Sequence, residues 1–270
     1  MENNRQPISP DIWCVIPVHN HARTIAGVVR AACEQKARVV VVDDGSQDAD
    51  VQGLLKPLGV TVLRHDRYRG KGQALMTAVN YVRSVGGTHI ITLEADGRHD
   101  PRELGKFTQA ILQNPESLVI GCRPFSSDDV PSSIRYGRSL SNFLLKLETG
   151  LDVGDALSGY RAYPVEILAR TPVKALRHDF EVEILARMAW AGVPLQRVDI
   201  SIKYPPLEER VSPCRRFKDH VRMAWLHSRL IARRLLPWPL PRLARSSGTR
   251  MKISWNPLKV IRQLVVERTS

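Results

Sequence analysis

The sequence predicts an α/β fold in which helices flank a Rossmann-like, mostly parallel central sheet. Short, almost continuously apolar segments alternate between residues 11 and 204 with segments whose apolar residues recur at helical spacing. This alternation is typical of parallel strands joined by crossover helices. Several apolar segments also stop abruptly at acidic, glycine or basic residues. Because open sheets of this kind bind ligands at the carboxyl ends of their strands, the stops predict a ligand site.

The first strand, first helix and second strand follow one another near the start of the chain. Residues 11–18 are an apolar run that closes with Pro17 and Val18, and residues 24–34 repeat apolar positions at helical spacing. Residues 38–42 are almost continuously apolar, as expected of a strand that is covered on both faces. This β-α-β order indicates a nucleotide-binding half-domain.

The second predicted strand stops at two acids, Asp43 and Asp44, which Gly45 and Ser46 follow. One interpretation is a turn in which an acid caps the next helix. The other is that one of the acids hydrogen-bonds the ribose or base of a nucleotide at the strand end. The residues alone leave both interpretations open.

A third strand over residues 60–63 leads into a basic loop, residues 64–72, which contains Gly70 and Lys71. A helix over residues 73–83 follows. Backbone amides at the start of a helix, together with a nearby lysine, form an anion site. The spacing of a Walker phosphate loop is absent. A solvated loop without a ligand is the alternative.

The fourth strand contains the apolar run from Ile90 and ends at Glu94, Ala95 and Asp96, before a helix over residues 102–113. Acids two residues apart on an extended chain point to the same side. Two carboxylates, with His99 close by in the sequence, could hold a hard divalent cation, which prefers oxygen ligands. The alternative is a strand end followed by a simple turn.

Charged residues also accompany the later elements. A fifth strand over residues 118–121 leads into Arg123, and a helix over residues 132–149 carries Arg135 and Arg138. Arginines at such positions are either satisfied surface charges or ligands for an anion.

Acids gather at the start of a helix predicted over residues 180–191. They are Asp179, Glu181 and Glu183. The helix dipole favours negative charge in a first turn, which explains at least two of them. A last strand is predicted over residues 194–204.

The net charge of +13 is concentrated after residue 210. Such a segment favours a polyanion: a nucleic acid, an anionic membrane surface or diphosphate groups. Within it, residues 217–236 form a basic amphipathic helix, which is typical of a membrane-surface element. Packing of this helix against the domain is the competing interpretation.

We divide the chain into an N-terminal arm (1–10), the α/β domain (11–206), a basic loop and amphipathic helix (207–244), and a weakly structured basic tail (245–270). No window approaches ~18 consecutive apolar residues, and the N-terminus has no apolar signal segment. We therefore expect a cytoplasmic protein that is peripheral at the inner face of the membrane. The four cysteines lack zinc-ligand spacing, so neither zinc nor a disulfide is predicted.

Seven motifs occur in a characteristic order: IPVHN, VVDDGS, RGKGQAL, LEADGRHDP, GCR, DALSGYR and DFEVEIL. Between residues 13 and 216 the chain resembles the family-two inverting glycosyltransferases of GT-A fold, and within them the dolichyl- or polyprenyl-phosphate sugar synthases. The resemblance implies transfer of a sugar, with inversion, from a UDP- or GDP-sugar to a lipid-linked acceptor. It also implies a divalent cation, Mg or Mn.

The resemblance assigns a role to each matching position. Glu94 and Asp96 would hold the metal, and Asp96 would also be catalytic. The nucleotide-sugar site would comprise Pro17, Val18, Asp43, Asp44, Gly70, Lys71, Ala95, Arg98, Arg210 and Ser212. The acceptor phosphate would meet Arg123, Arg135 and Arg138. A hydroxyl acceptor would require a general base, for which Asp179 and Glu181 are the candidates, whereas a phosphate acceptor is already ionised.

The sequence departs from the family pattern where Glu94 replaces an aspartate and Arg98 replaces a glutamine. In addition, His19, Asn20 and His21 replace tyrosine, asparagine and glutamate. A guanidinium cannot ligate a cation and could itself neutralise a diphosphate. An alternative function is therefore a catalytically weak GT-A-like protein that binds sugar nucleotides. A further alternative, nucleic-acid binding through the basic tail, lacks an RRM, KH or zinc-finger signature, and we expect no nucleic-acid partner.

Overall fold

A computed structural model describes residues 9–124, 132–203 and 217–235. The strands are β1 Ile12–Val18, β2 Arg38–Asp43, β3 Thr61–Arg64, β4 His89–Thr92, β5 Leu118–Cys122, β6 Arg161–Pro164 and β7 Leu195–Asp199. The α-helices within these ranges are α1 Ala22–Glu34, α2 Val51–Leu55, α3 Lys71–Ser84, α4 Leu104–Gln113, α5 Ser132–Thr149, α6 Val165–Arg170, α7 Phe180–Trp190 and α8 Phe217–Leu235.

The strands form one seven-stranded sheet in the order β3-β2-β1-β4-β6-β5-β7. All neighbouring pairs are parallel except those that involve β6, which runs antiparallel to both β4 and β5. The predicted mostly parallel sheet is therefore confirmed. After β3 the chain crosses back to the other side of β1 to form β4. Such a reversal of strand order opens a crevice at the carboxyl ends of β1 and β4.

The core consists of two apolar layers, one on each face of the sheet. Val40 and Val42 of β2 join the layer that α3 and α7 cover. Val39 and Val41 join the layer that α1 and α4 cover. Because alternate residues of a strand face opposite sides, a strand buried on both faces must be apolar at nearly every position. Each fully buried valine contributes roughly 1.5–3 kcal/mol.

Most predicted elements are present with shifted ends. The last strand is shorter than predicted and ends at Asp199. The two short helices, α2 and α6, were not predicted because five or six residues are too few to establish a helical period. The predicted boundary at residue 206 lies outside the described residues, as do residues 1–8 of the arm and the whole basic tail.

Helix α8 packs against the domain instead of standing apart from it. Leu226, His227 and Leu230 are buried. Nδ1 of His227 lies 2.6 Å from Oε1 of Glu148 in α5, and Arg229 donates to Glu183 of α7 at 3.0 Å. Two buried carboxylates thus hold α8 in place. The apolar residues of α8 lie on both its buried and its solvent-facing sides, since Trp225 is 68% exposed.

Helix α5 has an unusual distribution of side chains. Its inward face carries Arg138 and Glu148, which are buried. Its outward face exposes Tyr136, Leu140 and Phe143. An apolar stripe on the solvent side of a surface helix is typical of an interaction site. Among the described residues, no helix combines the length and apolarity that crossing a membrane requires.

Candidate active site

The candidate site lies at the carboxyl ends of β1, β2 and β4. Val18 at the end of β1 pairs with Asp43 at the end of β2. Glu94 follows β4 by two residues, and Lys71 is the first residue of α3. The sequence therefore places acids and a lysine at the crevice that the reversal of strand order creates.

Lys71 joins two acids that are distant in the sequence. Its Nζ donates to Oε1 of Glu94 at 2.7 Å and to Oε1 of Glu181 at 2.5 Å. Glu181 lies in the first turn of α7, so this contact fixes α7 to the strand end. Pro17 lines the small pocket beside Lys71 and Glu181.

Arg98 holds the two acids of the LEADGR motif together. Its Nε donates to Oδ2 of Asp96 at 2.6 Å, and its Nη2 donates to Oε2 of Glu94 at 3.1 Å. Its backbone N–H donates to Oδ1 of Asp96 at 3.0 Å. Nε2 of His99 lies 3.5 Å from Oε2 of Glu94. The predicted convergence of Glu94 and Asp96 is present, with a guanidinium between them.

The charges of this cluster stabilise one another. Burial alone would raise the pKa of Glu94, but Lys71, His99 and Arg98 together hold the pKa well below its usual range. Burial alone would lower the pKa of Lys71, but Glu181 and Glu94 raise it above its usual value. Glu94 is therefore ionised and Lys71 protonated at neutral pH.

The carboxylate oxygens that would bind a divalent cation already accept hydrogen bonds from other residues. All four carboxylate oxygens of Glu94 and Asp96 accept hydrogen bonds from Lys71 or Arg98. A cation needs several oxygens at 2.0–2.2 Å and cannot share these positions with ammonium and guanidinium groups. Among the described residues, no group of three or more His, Cys, Asp and Glu side chains is arranged to hold a metal ion. As arranged, the pair does not fit a metal unless Arg98 moves.

Gly159 permits the close approach of Lys71 to both acids. A Cβ at this position would lie 2.5 Å from Oε1 of Glu94, 2.6 Å from Nζ of Lys71 and 2.9 Å from Oε1 of Glu181. Thr92, the last residue of β4, donates to the carbonyl of Gly159 at 2.7 Å and fixes the segment there. The cluster therefore depends on a residue without a side chain.

Asp44 organises the basic loop rather than capping a helix. It accepts hydrogen bonds from the backbone N–H groups of Arg69 and Gly70 at 2.8 and 2.7 Å. The ring of His65 lies 2.7 Å from the same carboxylate. Gly70, at a φ of 104°, packs against the carbonyl of Leu176. The carboxylate of Asp44 thus fixes the start of α3, and Lys71 with it.

Asp43 is fully buried and only partly satisfied. Its Oδ1 accepts from the N–H of Ser46 at 2.8 Å, whereas its Oδ2 forms no hydrogen bond within the described part of the chain. Arg64 lies 3.4 Å from Oδ2, within ion-pair range. Buried polar atoms are nearly always hydrogen-bonded, so an incompletely satisfied one beside a crevice favours a ligand contact.

The rings of His19 and Tyr68 lie next to Asp44. Their centroids are 4.5 Å apart, and Nδ1 of His19 lies 2.9 Å from the carbonyl oxygen of Asp44. The guanidinium of Arg177 lies 5.2 Å from the centroid of Tyr68. His19 replaces the tyrosine of the family pattern and still presents a flat ring at this position.

The three arginines assigned to the acceptor differ in their surroundings. Arg123 donates to both carboxylate oxygens of Asp155 at 2.6 and 2.7 Å, and Arg138 lies 3.1 Å from the same group. Both arginines are buried, whereas Arg135 is exposed. Asp155 thus links Arg123, directly after β5, to Arg138 of α5.

Four further residues were predicted to belong to the site: Ala95, Asp179, Arg210 and Ser212. Ala95 is buried, and its carbonyl accepts from Oγ1 of Thr24 at 2.6 Å. Asp179 accepts from the backbone N–H of Arg177 at 3.1 Å. Arg210 and Ser212 lie outside the described residues.

Three important residues were not predicted: Asp155, Gly159 and Arg161. All lie in the DALSGYR motif, and both charged members are fully buried. Arg161 donates to the carbonyls of Glu181 at 2.8 Å and Ala156 at 2.8 Å. Charged residues within an otherwise apolar segment were the available signal, but their partners are distant in the sequence.

The chain is similar in sequence to known glycosyltransferases. Residues 13–171 match the family described as "Glycosyl transferase family 2". A UDP-N-acetylglucosamine–dolichyl-phosphate N-acetylglucosaminyltransferase of Methanococcus voltae is 27% identical over 173 residues, which cover 56% of this chain and 68% of that protein. A polyprenol monophosphomannose synthase of Mycolicibacterium smegmatis is 28% identical over 205 residues, covering 69% and 75%.

A solved structure has the same fold. Mannosyl-3-phosphoglycerate synthase from Rubrobacter xylanophilus superposes with a TM-score of 0.63 over 89% of this chain and 79% of that chain, at 19% identity. At this identity the likeness establishes the GT-A fold alone. Because the family match covers more than half of the chain, the chain belongs to glycosyl transferase family 2. It is a glycosyltransferase.

Proposed function

We propose that this glycosyltransferase moves a sugar from a nucleotide sugar, with inversion, to a lipid-linked phosphate. The observation that carries the proposal is the cluster in which Lys71 and Arg98 are fixed among Glu94, Asp96 and Glu181 at the sheet crevice. Two relatives whose names include dolichyl phosphate and polyprenol support the lipid acceptor.

The proposed donor lies across the crevice. Its base or ribose meets Oδ2 of Asp43, which accepts no hydrogen bond from the described residues, and its base lies near the rings of His19 and Tyr68. Its diphosphate extends toward Lys71 and Arg98. We also assign Gly70, Ala95 and the late residues Arg210 and Ser212 to this binding region, as the resemblance implies. Asp44, Pro17 and Val18 shape it.

The proposed reaction is a single displacement at the anomeric carbon. An acceptor oxygen forms the new bond as the bond to the nucleoside diphosphate breaks. Negative charge develops on the departing diphosphate, and preorganised cations stabilise such charge more strongly in a partly buried site than in water. Lys71 and Arg98 supply this stabilisation. The Mg or Mn that the resemblance implies would be held by Glu94 and Asp96, and no step proposed here requires it.

The surroundings of the two candidate bases favour a phosphate acceptor. Glu181 is bound to Lys71, and Asp179 accepts from the Arg177 backbone. A hydroxyl acceptor would need one of these carboxylates to accept its proton. An ionised phosphate carries no such proton, so Glu181 can remain a positioning residue for Lys71. Among the acceptor arginines, exposed Arg135 is the one proposed to contact the phosphate, while Arg123 and Arg138 shape the wall with Asp155.

A membrane-surface location accounts for the outward face of α5. Tyr136, Leu140 and Phe143 recur at helical spacing on this face, and Tyr136 is 75% exposed. Trp225 and Val221 of α8 are exposed as well. Arg135 lies beside Tyr136 in the sequence, so an acceptor phosphate at a lipid surface would be near both a cation and apolar side chains.

The experiment is a transfer assay with the purified full chain, a panel of UDP- and GDP-sugars, and dolichyl or undecaprenyl phosphate in detergent. We expect one donor to yield a lipid-phosphate-linked sugar. The Lys71→Met variant should lose transfer. The control variant Lys56→Met changes an exposed lysine directly after α2 and should retain transfer. Binding of a nucleotide sugar without transfer to any acceptor would instead favour the catalytically weak binding protein.

A further inference from the structure

Arg98 occupies the position, between the two acids of the LEADGR motif, at which a divalent cation is expected. Its guanidinium bridges the two carboxylates: Nε donates to Oδ2 of Asp96 at 2.6 Å, and Nη2 donates to Oε2 of Glu94 at 3.1 Å. In its place the family pattern has a neutral glutamine. The inference below rests on the proposed function, because it concerns how the same site neutralises the donor diphosphate.

The backbone holds Arg98 in this position from both sides. Its N–H donates to Asp96, and its carbonyl accepts from the N–H of Lys203 at 2.9 Å. The side chain is partly buried, with 26% of its surface exposed. Lys203 immediately precedes the segment 204–216, which contains the predicted diphosphate residues Arg210 and Ser212. The hydrogen bond between Lys203 and Arg98 therefore links the LEADGR motif to the start of that segment. A guanidinium fixed in this way loses little conformational entropy when it binds a phosphate.

The charge of the site is compatible with this role. Lys71 and Arg98 bring two positive charges to the acids, which is the charge of one divalent cation. Nη1 of Arg98 forms no hydrogen bond to any of the described residues, so its two N–H groups remain available to phosphate oxygens. Arginine forks bind phosphate with charge-assisted hydrogen bonds.

We propose that Arg98, with Lys71, takes the place of the divalent cation, so that this chain binds its donor diphosphate without a metal. A cation at Glu94 and Asp96 would have to displace the guanidinium from both carboxylates and would lie close to two like charges. The substitution of glutamine by arginine thus changes how the leaving diphosphate is neutralised without removing that neutralisation.

The test measures two independent properties of the full chain. The first is binding of Mn²⁺ to the free protein, followed by loss of the free-ion signal in electron paramagnetic resonance. The second is binding of UDP and GDP by calorimetry, in EDTA and in Mn²⁺. We expect the wild-type protein to bind no Mn²⁺ at this site and to bind one nucleotide equally well in both solutions.

The decisive variant is Arg98→Gln, which restores the family residue. In EDTA it should bind the nucleotide roughly 10- to 100-fold more weakly, the loss expected for a charge-assisted hydrogen bond. In Mn²⁺ it should recover affinity and bind the metal. Arg98→Lys should keep part of the affinity in EDTA. Arg102→Gln removes the same charge from an exposed ion pair with Asp100 and is the matched control.

Each outcome is decisive. Nucleotide binding by the wild-type protein only in Mn²⁺, or unchanged binding by Arg98→Gln in EDTA, would overturn the inference and leave the proposed function intact. Absence of binding of either nucleotide in both solutions would overturn both. Thermal unfolding of every variant establishes that a loss of affinity comes from the site and not from the fold.

Discussion

Replacing Gly159 by alanine should impair the site while leaving the fold largely intact. The new Cβ would lie 2.5 Å from Oε1 of Glu94. Ordinary contacts between a carbon and an oxygen are roughly 3.3–3.6 Å, so the carboxylate must move by about 0.8–1.1 Å. The hydrogen bond of 2.7 Å between Lys71 and Glu94 would then break or reorient. A misplacement of about 1 Å in an active site can reduce the rate by roughly 100-fold.

The effect on stability should be much smaller. Gly159 is not at a positive φ, and the atoms it would contact are the ends of long side chains that can move. We expect a loss of about 1 kcal/mol in the free energy of unfolding, at the low end of the cost of overpacking. Urea denaturation gives the stability, and the transfer assay with nucleotide calorimetry gives the function. Gly105→Ala, on α4 with open space around its Cβ, is the control. Unchanged transfer by Gly159→Ala would show that the contact between Lys71 and Glu94 does not contribute to transfer.

Three further predictions concern stability. Asp155→Asn should lower the free energy of unfolding by about 3–5 kcal/mol in urea denaturation, because buried Arg123 and Arg138 lose their shared carboxylate; a loss below about 1 kcal/mol would contradict this. Leu226→Ala should lower the free energy of unfolding by about 2–5 kcal/mol, because Leu226 is buried where α8 packs against the domain. Trp225 is exposed, so Trp225→Ala should leave the free energy of unfolding unchanged and weaken flotation with anionic liposomes. The pKa of Glu94 is lower in the folded state than in the unfolded state, so ionised Glu94 stabilises the fold fully above the unfolded pKa of about 4.3 and loses this effect as pH falls further. The difference in free energy of unfolding between wild type and Glu94→Gln should therefore shrink on acidification. A difference that grows on acidification would contradict this prediction.

The sequence predicted the strand ends well because they depend on local patterns. Apolar runs that stop at Asp43 and Glu94 indicate strands that end at a crevice, whatever the remainder of the chain does. The antiparallel orientation of β6 was not predicted, because the direction of a strand depends on the path of the chain around it. Periodicity predicted the α/β fold with its mostly parallel sheet, and the resemblance supplied the GT-A assignment.

The contacts within the site could not be predicted in the same way. Lys71 and Glu181 are 110 positions apart, and their contact depends on Gly159 from a third segment. The resemblance assigned Arg138 to the acceptor phosphate, whereas α5 turns this residue inward and turns Tyr136, Leu140 and Phe143 outward. The acid that compensates for this arrangement, Asp155, stands out in the sequence only as a charge in an apolar segment, and its partner Arg123 is 32 positions away.

Sugar transfer to a lipid phosphate is best tested by identifying the product formed from a nucleotide sugar and a polyprenyl phosphate. Mass spectrometry should detect a sugar-phosphate-lipid, with one nucleoside diphosphate released per product. The anomeric configuration should be inverted relative to the donor. We expect this product from the wild-type protein and its loss in Lys71→Met. Failure to bind or turn over any UDP- or GDP-sugar in the presence of the lipid phosphate would contradict it.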